Sequence, residues 1–222
     1  MIKAFQFQVI LNDVEPHVMR KFIIPAETTF LRLHDTLQFV MGWSNSHLFD
    51  FQGKLSSKQL EIVFDEDYYD EFQWRLKHDK ERIACGETLH EFEELWFNRA
   101  NQTVLKKASS YKLTSYFKNV GDEITYRYDF GDDWKHTITL ETIVEQYPVG
   151  YPMLLECVGA CPPEDVGGSG GYEYFLEAWH NPKHPEHDEM RQWGESIYVE
   201  EMDVTRINFL MSEVLKLKRI KK

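Results

Sequence analysis

"YRYDFGDDWKHTITLE", residues 126–141, decides the fold. Alternating apolar side chains flank a short run of turn formers, so the stretch reads as a β-hairpin. Ile124, Tyr126, Tyr128 and Phe130 share one face of the incoming strand, and Trp134, His136, Ile138 and Leu140 share one face of the outgoing strand. A three-residue loop, Gly131-Asp132-Asp133, would pair Phe130 with Trp134, Tyr128 with His136, Tyr126 with Ile138 and Ile124 with Leu140. All four are apolar or aromatic cross-strand pairs. A two-residue Gly-Asp turn suits the local turn chemistry but mixes the faces, so the four-pair register is preferred. In that register Asp129 faces Lys135 as a surface ion pair, and His136 is half-buried beside Tyr128.

Outward from the hairpin, residues 3–11 alternate as a strand and 18–24 as a second. Phe30, Leu33, Leu37, Val40 and Met41 mark one face of a helix opened by Thr28 or Thr29 and closed at Gly42. "HLFDFQGKL" and "LEIVFD" add two strands, giving an opening close to ββαββ. Residues 65–81 are acidic and aromatic without clean periodicity and are left unassigned. "TLHE" (88–91) matches a capping box and predicts a helix near 88–98. "NQTVLKKASS" reads as a loop, and "YKLTSYFKNVG" as a short helix ending at Gly121. A long Gly/Pro-rich loop follows the hairpin, then helices near 172–180, 185–193 and 203–218. The class is α+β: a mixed or mainly antiparallel sheet packed with helices, and a helical C-terminal part.

The net charge is −12, and aromatic residues are abundant (15 Phe, 11 Tyr, 6 Trp). Such a charge repels duplex DNA and anionic membrane surfaces, so neither is an expected partner. The basic tail "KLKRIKK" (216–222) reads as a solvated helix end. No apolar run has the length of a membrane span, and "MIKAFQFQVIL" lacks the pattern of a signal peptide. Three scattered cysteines do not make a disulfide scaffold, so a reducing, cytoplasmic setting is expected.

"MGWSNSHLFDF", "YRYDFGDDWKHTITLE" and "GACPPEDVGGSGGYEYFLEAWHNPKHPEHDEM" together resemble the plasmid pRiA4b ORF-3-like family, some of whose members are passenger proteins of insertion elements. The resemblance covers nearly the whole chain, read as one domain over 1–222 with 65–110 as a family-variable insertion. It implies an α+β fold and an association with mobile elements, and it brings no established activity. The family's usual cysteine in "PEDCGG" is Val166 here, which removes one thiolate from any metal site of the family.

Four features could carry chemistry. Cys157, Cys161, His184 and His187 offer zinc-type ligands, although their spacing is not that of a zinc finger. Asp129 or Asp132 could join Glu164, Asp165 and His136 in a carboxylate pocket beside Trp134, suited to Mg²⁺, Mn²⁺ or Ca²⁺ and to metal-assisted hydrolysis. "GGSGG" (167–171) ahead of a helix could hold an anion on backbone N–H groups, or simply be a helix-capping loop. "DEDYYDEFQW" would present an acidic, aromatic strip suited to a protein partner. The leading expectation is a non-enzymatic accessory or interaction protein with a protein partner and no cofactor. The alternative is a metal-dependent hydrolase, acting on nucleic acid among other substrates.

Overall fold

The computed structural model describes residues 1–216. Apart from Lys216, the basic tail therefore lies outside the described residues. β1 (Ile2–Leu11), β2 (Val18–Pro25), β3 (Phe49–Leu55), β4 (Lys58–Val63), β5 (Thr103–Lys107), β6 (Glu123–Tyr128), β7 (Trp134–Tyr147) and β8 (Met153–Val158) form one sheet in the order β5-β4-β3-β6-β7-β1-β2-β8. Every pairing is antiparallel except β4 with β5. Around the sheet lie α1 (Phe30–Met41), α2 (Glu66–Ala84), α3 (Glu91–Asn101), the single turn α4 (Leu113–Tyr116), α5 (Gly168–His180), α6 (His187–Gly194) and α7 (Val204–Val214). The fold is the expected α+β mixed sheet with a helical C-terminal segment.

Alternation divides the sheet into two faces. Phe5, Phe7, Val9 and Leu11 of β1 enter the main core with Phe49, Phe51, Leu60, Ile62, Tyr126 and Tyr128. α1 lies over this face. Thr29 caps it, its hydroxyl accepting from Arg32 N, and Gly42 ends it at φ +86°, its N–H donating to Gln38 O. Phe30, Leu33, Leu37, Val40 and Met41 point into the core as the spacing predicted. Val63, one residue beyond Ile62, points to the outer face, where it packs with Leu105, Phe72 and Ala100. The arm α2–α3 is therefore a crossover between the parallel strands β4 and β5, covering the outer face at that end of the sheet.

Several expectations need correction. In the hairpin, Tyr128 pairs with Trp134, Tyr126 with His136 and Ile124 with Ile138. The loop has five residues, because Asp129 (φ +55°) and Asp133 (φ +57°) adopt left-handed backbone and Asp133 N–H donates to Asp129 O. The register thus slips by two, which keeps the paired residues on their expected faces but moves Phe130 out of the pairing to 44% exposure. Lys135 faces Arg127, not Asp129. Residues 66–81 fall within α2, which Asp65 caps and whose inward side is Tyr69, Phe72 and Leu76. β5 lies inside the stretch read as a loop, and β8 inside the Gly/Pro-rich segment. α3 starts at Glu91, with His90 and Glu93 forming its capping box.

Arg20 is 1% exposed. Its Nε donates to Val40 O at 2.7 Å and its Nη1 to Met19 O at 2.9 Å and Val158 O at 2.7 Å. One guanidinium thus satisfies a carbonyl left over at the C-terminal end of α1 and joins it to β2 and the end of β8. Arg20→Ala would take the donor from three carbonyls, those of Val40 and Met19 in buried bonds. It is expected to lower unfolding stability by about 3 kcal/mol, read from urea denaturation.

Candidate functional site

The tip of the β6–β7 hairpin meets two other segments, the turn 43–47 after α1 and the loop 159–167 before α5. Trp43 begins the contact. Its indole stacks on Tyr128 with ring centroids 4.8 Å apart, and its Nε1–H donates to Pro162 O at 2.9 Å. Glu164, the first acid of "CPPED", accepts from the Tyr128 hydroxyl and from Ser44, both backbone N–H and hydroxyl. The same phenol oxygen accepts from Ser46 N at 3.0 Å. Burial, then the Glu164 carboxylate, pushes the Tyr128 phenol well above its ordinary pKa, so it stays a donor.

His47 stands between the two acidic stretches. Its Nδ1 lies 3.6 Å from Asp129 Oδ2 and its Nε2 3.3 Å from Asp165 Oδ1. One ligand atom from each of the three residues falls within 4.8 Å of the others, the one such group among the described residues. Asp129 is 8% exposed and preset, its Oδ1 accepting from Gly131 N at 2.9 Å and Asp132 N at 3.4 Å. Asp165 is largely exposed. His47 Nε2 is buried with no hydrogen-bond partner. Its separation from Asp165 is one that neighbouring ligands of a cation adopt, since oxygen and nitrogen ligands sit about 2.0–2.6 Å from the ion. An imidazole with two carboxylates suits a borderline divalent ion such as Mn²⁺ or Zn²⁺.

Of the residues singled out in the sequence, Asp129 and Asp165 meet at His47, Glu164 braces the loop, and Asp132 does something else. The Asp132 carboxylate accepts from Gly167 N at 3.2 Å, so the chain's own acid takes the place an anion would have at the start of α5. The glycines there serve close packing. A Cβ on Gly171 would lie 1.9 Å from Val166 O, and one on Gly168 2.9 Å from Asp132 O. Trp134 (2% exposed) and His136 (0%) are core residues, not part of an open pocket. His136 was expected to be only half-buried beside Tyr128. Burial instead drives its pKa down to about 3.

The zinc-type set does not gather. Cys161 Sγ contacts Met41 Sδ and Arg20, Cys157 lies on β8, and His184 and His187 make local bonds to Glu186 N and Ala178 O. His47 was missed because a lone histidine in "WSNSH" has no telling spacing. Its one signal is its place two residues before the strand that pairs with the hairpin.

The family described as plasmid pRiA4b ORF-3-like protein matches residues 3–206, from β1 into α7. The chain belongs to that family. Members and relatives show how it spreads. An uncharacterized protein of Sinorhizobium fredii, y4hQ, is 35% identical over 197 residues, 87% of this chain and 82% of the relative. A protein of unknown function from Methanosarcina mazei, MM3350, has a crystal structure with TM-score 0.68 and 26% identity, covering 92% of this chain and 97% of that one. The pRiA4b ORF-3-like fold is thus shared between a bacterium and an archaeon, and none of these comparisons assigns an activity.

Two buried histidines give the fold an acid limit. His34, between Tyr126 and Asn45, is held down to about 4 by burial, and His136 to about 3. In the unfolded chain both titrate near 6.5. Below that pH the unfolded state takes up protons the folded state refuses, so stability falls as pH drops from about 6.5 towards 4. His136→Gln should flatten that slope in urea midpoints measured across the range. An unchanged slope would show that His136 does not set it.

Proposed function

We propose that the protein is an accessory module that binds another protein in the cytoplasm, without turnover of its own, and that it travels with mobile genetic elements. One observation carries the binding reading. The α2–α3 arm holds large apolar side chains in solvent: Trp74 is 64% exposed, Leu95 71% and Phe92 84%. Apolar surface concentrated on one small element is characteristic of an interaction face. Acidic residues outnumber basic ones eleven to five across 65–101, so the complementary partner surface is basic. The net charge of −12 argues against duplex DNA as the partner. Support for the cytoplasm comes from three free cysteines, and for mobile elements from the plasmid name of the family. Of the described residues, no helix is long and apolar enough to cross a membrane.

The variant Trp74→Ser/Leu95→Ser/Phe92→Ser changes exposed positions only and should keep the wild-type melting temperature. In crosslinking from the native host it should lose the partners that wild type retains. Equal recovery by both proteins would move the interaction face elsewhere.

A second reading has its own observation, the approach of His47, Asp129 and Asp165. These three would hold a divalent cation, which could polarise a phosphoryl or carbonyl oxygen and make its bound water more acidic, the chemistry of metal-dependent hydrolysis. Buried Asp129 fixes one donor in place, and exposed Asp165 leaves the site open to a substrate. Dialysis against Mn²⁺ or Zn²⁺ followed by elemental analysis should show about one equivalent bound. His47→Ala should weaken binding at least ~10-fold. Equal metal content in wild type and variant would discard the site.

A further inference from the structure

Where β4 runs into α2, the outer face of the sheet opens into a 340 Å³ cavity. Leu48, Phe64, Tyr68 and Phe130 line it, each between 43% and 52% exposed. Four large apolar side chains left this open around one hollow are unusual, because a closed fold would normally bury them. None belongs to the main core: α2 and α3 cover the outer face beside β5 but stop short of β3 and β6.

The floor is polar. Asp50 and Arg127 are cross-strand partners on β3 and β6. They do not bond to each other. Arg127 Nε is drawn towards Asp133 at 3.6 Å, and its guanidinium lies 4.0 Å from the centre of the Phe130 ring. Arg99, on the rim, is ion-paired with Glu61 at 3.5 Å. Asp50 receives one hydrogen bond, from Gln52 Nε2 to Oδ2 at 3.0 Å, while its Oδ1 is buried without a partner. Burial raises its pKa most. Glu61 and Asp133 also raise it, whereas Gln52 and Arg127 lower it. Neither Asp50 nor Asp65 makes an ion pair there, and since the Asp65 carboxylate is used as the N-cap of α2, accepting from Tyr68 N at 2.9 Å, Asp50 is the carboxylate left over. Acids outnumber bases there, since Asp50, Glu61 and Asp65 face Arg99 and Arg127.

The geometry points to a binding site for an organic cation, an ammonium or guanidinium group held over Phe64, Tyr68 and Phe130 and directed at Asp50. Aromatic faces attract such cations, and Arg127 over Phe130 shows the ring already receiving a guanidinium. A carboxylate floor adds the charge term that a neutral apolar ligand could not use. The inference deepens the reading of a basic protein partner, whose arginine or lysine side chain would enter the cavity beside the exposed arm. The pocket chemistry itself accepts the same group on a free small molecule.

The test titrates the whole protein with N-acetylarginine amide, with its neutral isostere N-acetylcitrulline amide, and with a short arginine-containing basic peptide. Backbone amide shifts at Leu48, Phe64 and Phe130 are followed by NMR. The arginine compound should bind saturably with Kd near ~1 mM, the range of a single side chain. Citrulline should bind at least ~10-fold more weakly. Asp50→Asn should cost the arginine compound at least ~10-fold while leaving the melting temperature equal or higher, because it removes a half-buried carboxylate that makes no ion pair. Phe130→Ala should weaken it several-fold. Tighter binding of the peptide than of the amide identifies a protein source for the cation, and equal binding a small-molecule source. Equal binding of citrulline, full retention in Asp50→Asn, or shifts that avoid these three amides would overturn the site. If the cation binds but the arm variant loses no partner, the protein-partner reading fails and the pocket stands.

Discussion

Two phenol hydroxyls on one strand must find partners inside the protein, and much of the molecule is arranged to supply them. Tyr126 and Tyr128 occupy successive inward positions of β6 and are both fully buried. A buried hydroxyl without a partner costs on the order of 1–3 kcal/mol. The Tyr126 hydroxyl is met by His34 Nδ1 at 2.8 Å and Gln38 Nε2 at 3.1 Å, both from α1. Tyr128 is met by Ser46 N–H and the Glu164 carboxylate. Satisfying the first hydroxyl fixes α1 over the sheet. Satisfying the second brings the turn after α1 and the loop before α5 to the hairpin tip, and so brings His47 and Asp165 to Asp129. The acidic cluster is a by-product of solving a hydrogen-bonding problem one residue away.

How far the sequence revealed this depends on which physical signal each segment carries. β1, α1 and the hairpin faces were legible because one face of each is buried continuously, and period 2 or 3.6 survives in the residues. The hairpin register was not, because a shift of two preserves every face. What separates the registers is the left-handed backbone of Asp129 and Asp133, and Asp129 supports its own turn by accepting from Gly131 and Asp132. α2 was hidden because its buried side, Tyr69, Phe72 and Leu76, is diluted by the exposed Tyr68 and Trp74. β5 resembled a loop because two lysines follow its apolar residues, a composition that suits a sheet edge.

For the site, the sequence placed acids at both the hairpin and "CPPED" but had no means to rank them. Asp132 and Glu164 turned out to be spent on Gly167 N, Ser44 and Tyr128. Asp129 and Asp165 remained, joined by a histidine that no spacing rule selects. His136, in contrast, lay on the apolar face by parity, and its burial follows from that parity alone.

The order of strands has a consequence for how the chain is made. β1 sits between β2 and β7, and Asn12 and Thr137, bonded across that seam, lie 125 residues apart. A ribosome adding about 5–20 residues per second leaves roughly ten seconds between the emergence of the two strands. During that interval the nascent N-terminal half exposes a strand flank lined by Phe5, Phe7 and Val9, in what will become the interior of the sheet. Its seam is closed only by the β6–β7 hairpin, which must arrive with its own register already set by the two aspartates of its turn.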